Sequence, residues 1–313
     1  MPLNIMTLNL LYAGAVNRAG SWSTRLPLVL DVLHGVGGLH GVGGLHGEAG
    51  IIALQEATAP QLRDLEHALP EFTILPGPES GETRMPRLLH RATRLLHRAR
   101  AHRSGLEHLP SHLHAPRGEH CAILYRKECF EALDGNAFWL SHAPHAPGST
   151  LPGTWLPRVV NWVRLQEKVT GNLVTIYNAH LDFLPWAPLR SARILRHIMD
   201  THWDGSLQVL LGDFNAPPRS AAYLHLGAEL KHTPHPPLLD AWLAATERHG
   251  PEGTYHGGTG RIRWMGRLDR ILFRPTLQVA RVTTLTHHRE QFYPSDHYPV
   301  LAEFAEINEE SDV

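Results

Sequence analysis

The chain has 313 residues, 42% of them hydrophobic, which allows one large core or two small ones. Its net charge of −1 gives no bulk attraction for nucleic acid or an anionic surface. Two cysteines, Cys121 and Cys129, exclude a disulfide framework and lack zinc-ligand spacing. The opening MPLNIMTLNLLYAG has neither a basic n-region nor an A-x-A-like cleavage site. No run reaches the roughly 18 apolar residues of a membrane span, so the expectation is a soluble, cytoplasmic protein.

Apolar and β-branched runs bounded by Gly, Pro and Asp predict strands at 3–9, 51–54, 72–75, 120–125, 159–165, 173–179, 207–211, 269–273 and 299–304. Helices are expected over 24–34, 59–68, 188–202, 219–226 and 238–247, the second opened by Thr58 with Pro60 two positions on. Many strands with fewer helices imply an α+β fold, with two sheets packed face to face and helices outside. No linker composition interrupts the chain, so 1–313 reads as a single domain.

Two segments break this pattern. The Gly/His-rich stretch 34–47 carries HGVGGL twice in tandem and reads as a surface-loop expansion, since glycine-rich chain holds no ligand in place. Within 79–117, RLLHRAT and RLLHRAR repeat at seven-residue spacing, with leucines on one helical side and Arg91, Arg94 and Arg98 largely on another. Such a basic insert either docks on phosphates or a membrane surface, or packs its leucines on its own domain and solvates its arginines.

Three short strings sit at the ends of apolar runs: LQE at 54–56, GDFN at 212–215 and SDH at 295–297. Together they offer Glu56, Asp213, Asn215, Asp296 and His297, oxygen and imidazole groups suited to a hard cation such as Mg²⁺ or Mn²⁺ and to a phosphate. Asp213 and Asn215, two apart, lie on the same side of the chain because strand side chains alternate, and Gly212 lets the backbone approach a ligand. NAHLD ends another run and places His180 and Asp182 on one face. His180 either donates to a phosphoryl oxygen or caps the sheet. Asp269, opening the run DRILF, is a candidate to orient His297, and Arg158 to neutralise phosphate or form a surface ion pair.

Asn9 in MTLNL, Glu56, His180, Asp213, Asn215, Asp269, Asp296 and His297 occur in the order of the endonuclease/exonuclease/phosphatase superfamily, which the chain resembles over most of its length. FWLSHAPHAPGS, PRVVNWVRL, GTYHGGTG and YPSDHYPV are similar to a bacterial branch. The resemblance implies a DNase I-like four-layer α/β/β/α sandwich of two mixed sheets with its active site at one rim. It assigns Asn9, Glu56 and Asp296 to the metal, and Asp213 and Asn215 to the attacking water. It assigns His180 and His297 to the phosphate, with Asp269 orienting His297. Either Asp213, which we favour, or the His297–Asp269 pair is the general base.

The implied activity is metal-dependent phosphoester hydrolysis. Asn9 is followed by Leu10-Leu11-Tyr12, unlike the abasic-site endonucleases, and Leu268 stands where inositol-polyphosphate phosphatases carry Cys. No export signal of the secreted DNases or sphingomyelinases is visible. The expected substrate is DNA or RNA, with Arg91, Arg94 and Arg98 lending backbone affinity. The alternatives are a small-molecule or lipid-headgroup phosphoester, with the insert as a weak membrane contact, and more remotely a non-catalytic binding module. No protein partner is indicated.

Overall fold

The strands at Ile51–Thr58, Leu207–Asp213 and Asp269–Arg274 are buried at every position, as strands covered on both faces are. A computed structural model of the chain describes residues 3–15, 18–35, 49–80, 118–230, 235–263, 266–275 and 277–305. The HGVGGL repeats from residue 36 onward, and the basic insert from 81 to 117 with Arg91, Arg94 and Arg98, lie outside the described residues.

In chain order the elements are β1 (Leu3–Asn9), α1 (Trp22–Leu33), β2 (Ile51–Thr58), α2 (Ala59–Ala68), β3 (Phe72–Leu75), β4 (Glu119–Arg126) and β5 (Phe130–Trp139). Then come β6 (Val159–Glu167), β7 (Leu173–His180), α3 (Ala187–Thr201), β8 (Leu207–Asp213), α4 (Ala221–Leu226), β9 (Leu239–Asp240) and α5 (Ala241–Ala244). The last are β10 (Glu247–His249), β11 (Asp269–Arg274), β12 (Val279–Thr284) and β13 (Val300–Phe304). One sheet runs β10-β12-β13-β1-β2-β4-β3, the other β5-β6-β7-β8-β11-β9. Each sheet has a central parallel pair, β1 with β2 and β7 with β8, flanked by antiparallel neighbours.

Alternation along each strand sorts side chains into three apolar layers. Ile5, Ile51, Ala53, Ile176, Val209, Leu211, Phe273 and Phe304 fill the space between the sheets. Met6, Leu8, Ile52 and Leu54 face outward beneath Val29, Val32 and Leu33 of α1 and Leu62 and Leu65 of α2. Tyr177, Ala179 and Leu210 face Ala192, Leu195 and Met199 of α3 and Ala222 and Leu226 of α4. The result is the expected four-layer α/β/β/α sandwich.

One polar clasp crosses the apolar interior. The Gln55 side-chain amide donates to Asn178 Oδ1 at 2.7 Å, and Asn178 Nδ2 donates to the carbonyls of Leu54 at 2.9 Å and Ala122 at 2.8 Å. All of these groups are buried, so each unmade bond costs its full desolvation penalty.

Several expectations are corrected. The helix expected over 238–247 is instead β9, the single turn α5 capped by Asp240, and β10, because pairing of Leu239 and Asp240 with β11 outweighs local helical propensity. β5 and β12 went unrecognised; β5 is an edge strand whose middle, EALDGN, is exposed and lacks an apolar run. Gly212, at φ +137°, makes a close approach to its neighbouring strand: a Cβ there would lie 1.9 Å from the Ala179 carbonyl oxygen. Thr58 does open α2, with Gln61 Oε1 accepting from the Thr58 N–H at 3.0 Å. Among the described residues no helix is long and apolar enough to cross a membrane.

Replacing Asn178 by Leu removes the shortest bond of the Gln55 amide, leaving it Thr7 Oγ1 at 3.1 Å and the Ala53 carbonyl at 3.4 Å, and takes the side-chain donor from two buried carbonyls. Urea unfolding of this variant should show a loss of about 3 kcal/mol or more; a loss below about 1 kcal/mol would mean the clasp does not hold the sheets.

Candidate active site

The parallel pairs end at the same rim, and their register assembles the site. Asp213 at the end of β8 stands opposite His180 of β7 on one side and Asp269 of β11 on the other. From the facing sheet, Asn9 closes the gap: its Nδ2 donates to Glu56 Oε1 at 2.9 Å and to Asp213 Oδ2 at 3.1 Å. Asp213 Oδ2 lies 3.7 Å from His180 Nε2 and 3.8 Å from His297 Nε2, so one oxygen faces both imidazoles. His297 Nδ1 is 2.7 Å from Asp269 Oδ2. The Tyr255 ring packs on that of His297, with centroids 4.9 Å apart.

Local backbone geometry aims these groups. Glu56 does not follow a strand end: it sits inside β2 where the register with β4 shifts between Leu54 and Ala57, at φ +57°. Leu11, at φ +57°, and Asn215, at φ +45°, are also in the left-handed region, and such conformations concentrate at functional rims. Arg25 of α1, fully buried, donates to the carbonyls of Leu10 at 2.6 Å, Leu11 at 2.8 Å, Tyr12 at 3.3 Å and Pro294 at 3.1 Å. It thereby joins the loop after Asn9 to the loop carrying Asp296. Ser295 Oγ donates to the Asn9 carbonyl at 2.5 Å, a second tie between the same loops.

Burial and mutual charge set the protonation states. Burial raises the Asp213 carboxyl above its ordinary range, and Asp269 adds to this, offset in part by His297 and by hydrogen bonds from Asn215 N and Asn9. Burial alone would depress His297, but the charge of Asp269, the hydrogen bond between them and the charges of Asp213 and Asp296 hold it well above its ordinary value. Asp213, Asp269 and His297 converge closely enough to hold an ion. His297 Nδ1 is committed to Asp269, and a protonated imidazole offers an ion no lone pair.

Glu56 and Asp296 form the other acidic focus; both charges support the Arg25 guanidinium, which burial lowers to about 10. Behind Glu56 a narrow recess is lined by Glu119, Cys121, Arg158 and His180. Arg158 is buried there and its Nε has no hydrogen-bond partner. Burial and then Glu56 push the Glu119 carboxyl up to about 8, with Arg158 opposing them. Burial also pushes the Cys121 thiol up to about 12, so it stays neutral beside these oxygens.

Two expectations about shared faces fail. β8 ends at Asp213, so Asn215 reaches the site through a turn: its N–H donates to Asp213 Oδ1 at 2.9 Å while its side chain donates to the Leu181 carbonyl at 3.0 Å. β7 ends at His180, and Asp182 turns the following loop by accepting from Leu184 N at 2.9 Å. Glu119, Arg25, Ser295 and Tyr255 escaped the sequence reading. Glu119 carried the same signal as Asp269, a carboxylate opening an apolar strand; Arg25 carried none, since its partners are backbone carbonyls.

The two packed mixed sheets with their outer helices define a DNase I-like sandwich. The chain belongs to the Endonuclease/Exonuclease/phosphatase family, whose pattern matches residues 6–297. Members are hydrolases acting on phosphoester bonds and generally use divalent metals. The fold is similar to that of an endonuclease/exonuclease/phosphatase from Bacteroides vulgatus (22% identity, TM-score 0.76, 97% of this chain and 99% of that one). It is also similar to a mannosyl-6-phosphatase of Bacteroides thetaiotaomicron VPI-5482 (24%, TM-score 0.72, 97% and 99%). A third similar structure is the human nocturnin catalytic domain with bound sulfate (20%, TM-score 0.62, 97% and 93%). At these identities the likeness is one of fold. A comparison with curated protein sequences finds no match.

Because Asp269 holds the His297 proton, Asp269→Asn should lower the His297 midpoint in an NMR titration of the metal-free protein. The sign follows from linkage. A histidine with a raised folded pKa stabilises the fold fully below its unfolded value of about 6.5, and that contribution disappears as pH rises through the folded value. The variant should therefore lose stability on the acid side of this window. An unchanged midpoint would remove the pair from the site.

Proposed function

We propose that this chain is a phosphodiesterase acting on DNA or RNA, with Mg²⁺ or Mn²⁺ as its ion. The observation that carries the hydrolytic reading is the Asp213 carboxylate, buried between two imidazoles of which one is pinned by Asp269. The donor set fits a hard cation: Glu56 and Asp296 supply carboxylates, Asn9 lies against Glu56, and the neighbouring Cys121 thiol stays protonated. Such an ion, when bound, supplies charge stabilisation at the phosphoryl oxygens.

The residues of the chain divide the remaining work. Arg158, buried beside His180, neutralises the phosphate. Asp213, with its raised proton affinity, takes a proton from the attacking water as the new P–O bond forms. The ester P–O bond opposite breaks, and the leaving oxygen receives the proton of the His297 imidazolium, whose other nitrogen is held by Asp269. His180 donates to a phosphoryl oxygen. Asn215 fixes Asp213 through its backbone N–H and so orients the water indirectly. Asp182 shapes the loop after His180 and is assigned no contact with substrate.

The nucleic-acid part of the reading is supported by the guanidiniums of Arg91, Arg94 and Arg98, repeated along one insert. A phosphatase acting on a small phosphoester is the second reading, favoured by the likeness in fold to a mannosyl-6-phosphatase. Residues 1–313 are taken as one catalytic domain, and a cytoplasmic setting is supported by the two free thiols.

With a labelled oligonucleotide and Mg²⁺ or Mn²⁺, Asp213→Ala and His297→Ala should each lower kcat/KM by about a hundredfold or more. Chelation should abolish cleavage and either ion should restore it. Variants that cut as well as the parent would refute the assignment of these residues. Deleting 84–103 should weaken strand binding and flatten its salt dependence, and an unchanged slope would leave the insert a packing element.

A further inference from the structure

Next to the acidic rim lies a cavity of opposite character. It is open, of about 950 Å³, and is bounded by Arg18, Arg261, Arg263, Phe292 and Tyr293, with no carboxylate among the described residues that line it. Its wall is the loop from Tyr255 to Arg263, which is bonded directly to the site. The backbone N–H groups of His256 and Gly257 both donate to the Asp296 carbonyl at 3.0 Å, and Arg263 N donates to the Tyr255 carbonyl at 3.0 Å. Tyr255 is the residue whose ring packs on His297.

The loop is held in shape by contacts independent of any ligand. Tyr298 Oη donates to the Gly260 carbonyl at 3.0 Å, and a Cβ on Gly260 would lie 2.0 Å from Tyr293 Oη, so this position brings the loop against that ring. His256 stacks on Tyr298 with centroids 4.1 Å apart, and its Nδ1 accepts from Gly260 N at 3.2 Å. Burial drops the His256 pKa to about 3, so the stack adds no charge and the positive potential comes from the three arginines.

We propose that this cavity is a subsite for an unpaired nucleotide flanking the scissile phosphate, its arginines meeting the next phosphate and its aromatic rings the base. The proposal rests on the phosphodiesterase reading above and adds the direction in which the substrate extends. Guanidiniums beside aromatic rings provide the paired backbone and base contacts of single-strand recognition. A lone sugar phosphate would leave most of the space empty, since 950 Å³ is at the upper end of the roughly 300–1,000 Å³ of small-ligand sites.

The test compares a short fluorescent single-stranded oligonucleotide with bis(p-nitrophenyl) phosphate, a diester lacking a second phosphate. An Arg261→Gln/Arg263→Gln double variant, checked for parental thermal unfolding, should lose about tenfold in kcat/KM on the strand and keep the parent's value on the small diester. In anisotropy titrations the slope of log K against log salt should fall by about 0.7, the value for one phosphate contact on a single strand. Phe292→Ala, which leaves the packing of Tyr293 on the loop in place, should weaken strand binding about tenfold through lost stacking. Parental affinity and slope in the double variant, or equal losses on both substrates, would overturn the subsite. So would a parent that cleaves the small diester but does not bind the strand, which leaves the hydrolase reading intact. A parent that binds the strand with this salt dependence yet cleaves neither compound overturns the hydrolase reading and keeps the subsite.

Discussion

The hydrogen bond between Gln55 and Asn178 is the constraint from which the rest of this structure follows. Two sheets joined only by apolar contacts can slide, because burial is proportional to area and has no direction. A buried amide pair has direction. Gln55 precedes Glu56 and Asn178 lies two residues before His180, so the clasp joins the two sheets beside the rim where these side chains emerge. Asn9 then bridges Glu56 and Asp213 across the same gap.

Those bridges confine carboxylates that repel one another. Asp213 and Glu119 are both pushed toward their protonated forms, first by burial and then by a neighbouring carboxylate. Buried like charges are stable only if something compensates them. Here Arg25, Arg158 and His297 do so from the protein side, and the family's use of divalent metals is the natural complement. The same electrostatics separate two groups of acids: Asp213 and Asp269 flank His297, while the charges of Glu56 and Asp296 act on Arg25.

A net charge of −1 conceals this organisation. Acid collects at the rim, and base collects in the cavity beside it. The loop from Tyr255 to Arg263 joins the two, bonded to the Asp296 carbonyl on one side and forming the cavity wall on the other.

The sequence by itself determined the layers and the family. Continuous apolar runs such as Ile51–Leu54 and Val209–Leu211 had to be buried on both faces, and the ordered strings around Glu56, Asp213 and His297 marked a family of phosphoester hydrolases. Edge strand β5 was illegible because its middle is exposed and polar, and the 238–247 segment because a two-residue pairing with β11 overrides helical propensity. Only the tertiary structure decided that Asp269 meets His297, that Glu56 is aimed by a bulge, that Asn215 meets Asp213 through its backbone N–H, and that Asp182 accepts from the loop that follows it. It alone brought in Arg25, whose partners are carbonyls from loops up to 269 positions away. The physical reason is that strand periodicity and residue type are local properties, whereas register, left-handed backbone and contact between the two sheets exist only once distant segments have packed.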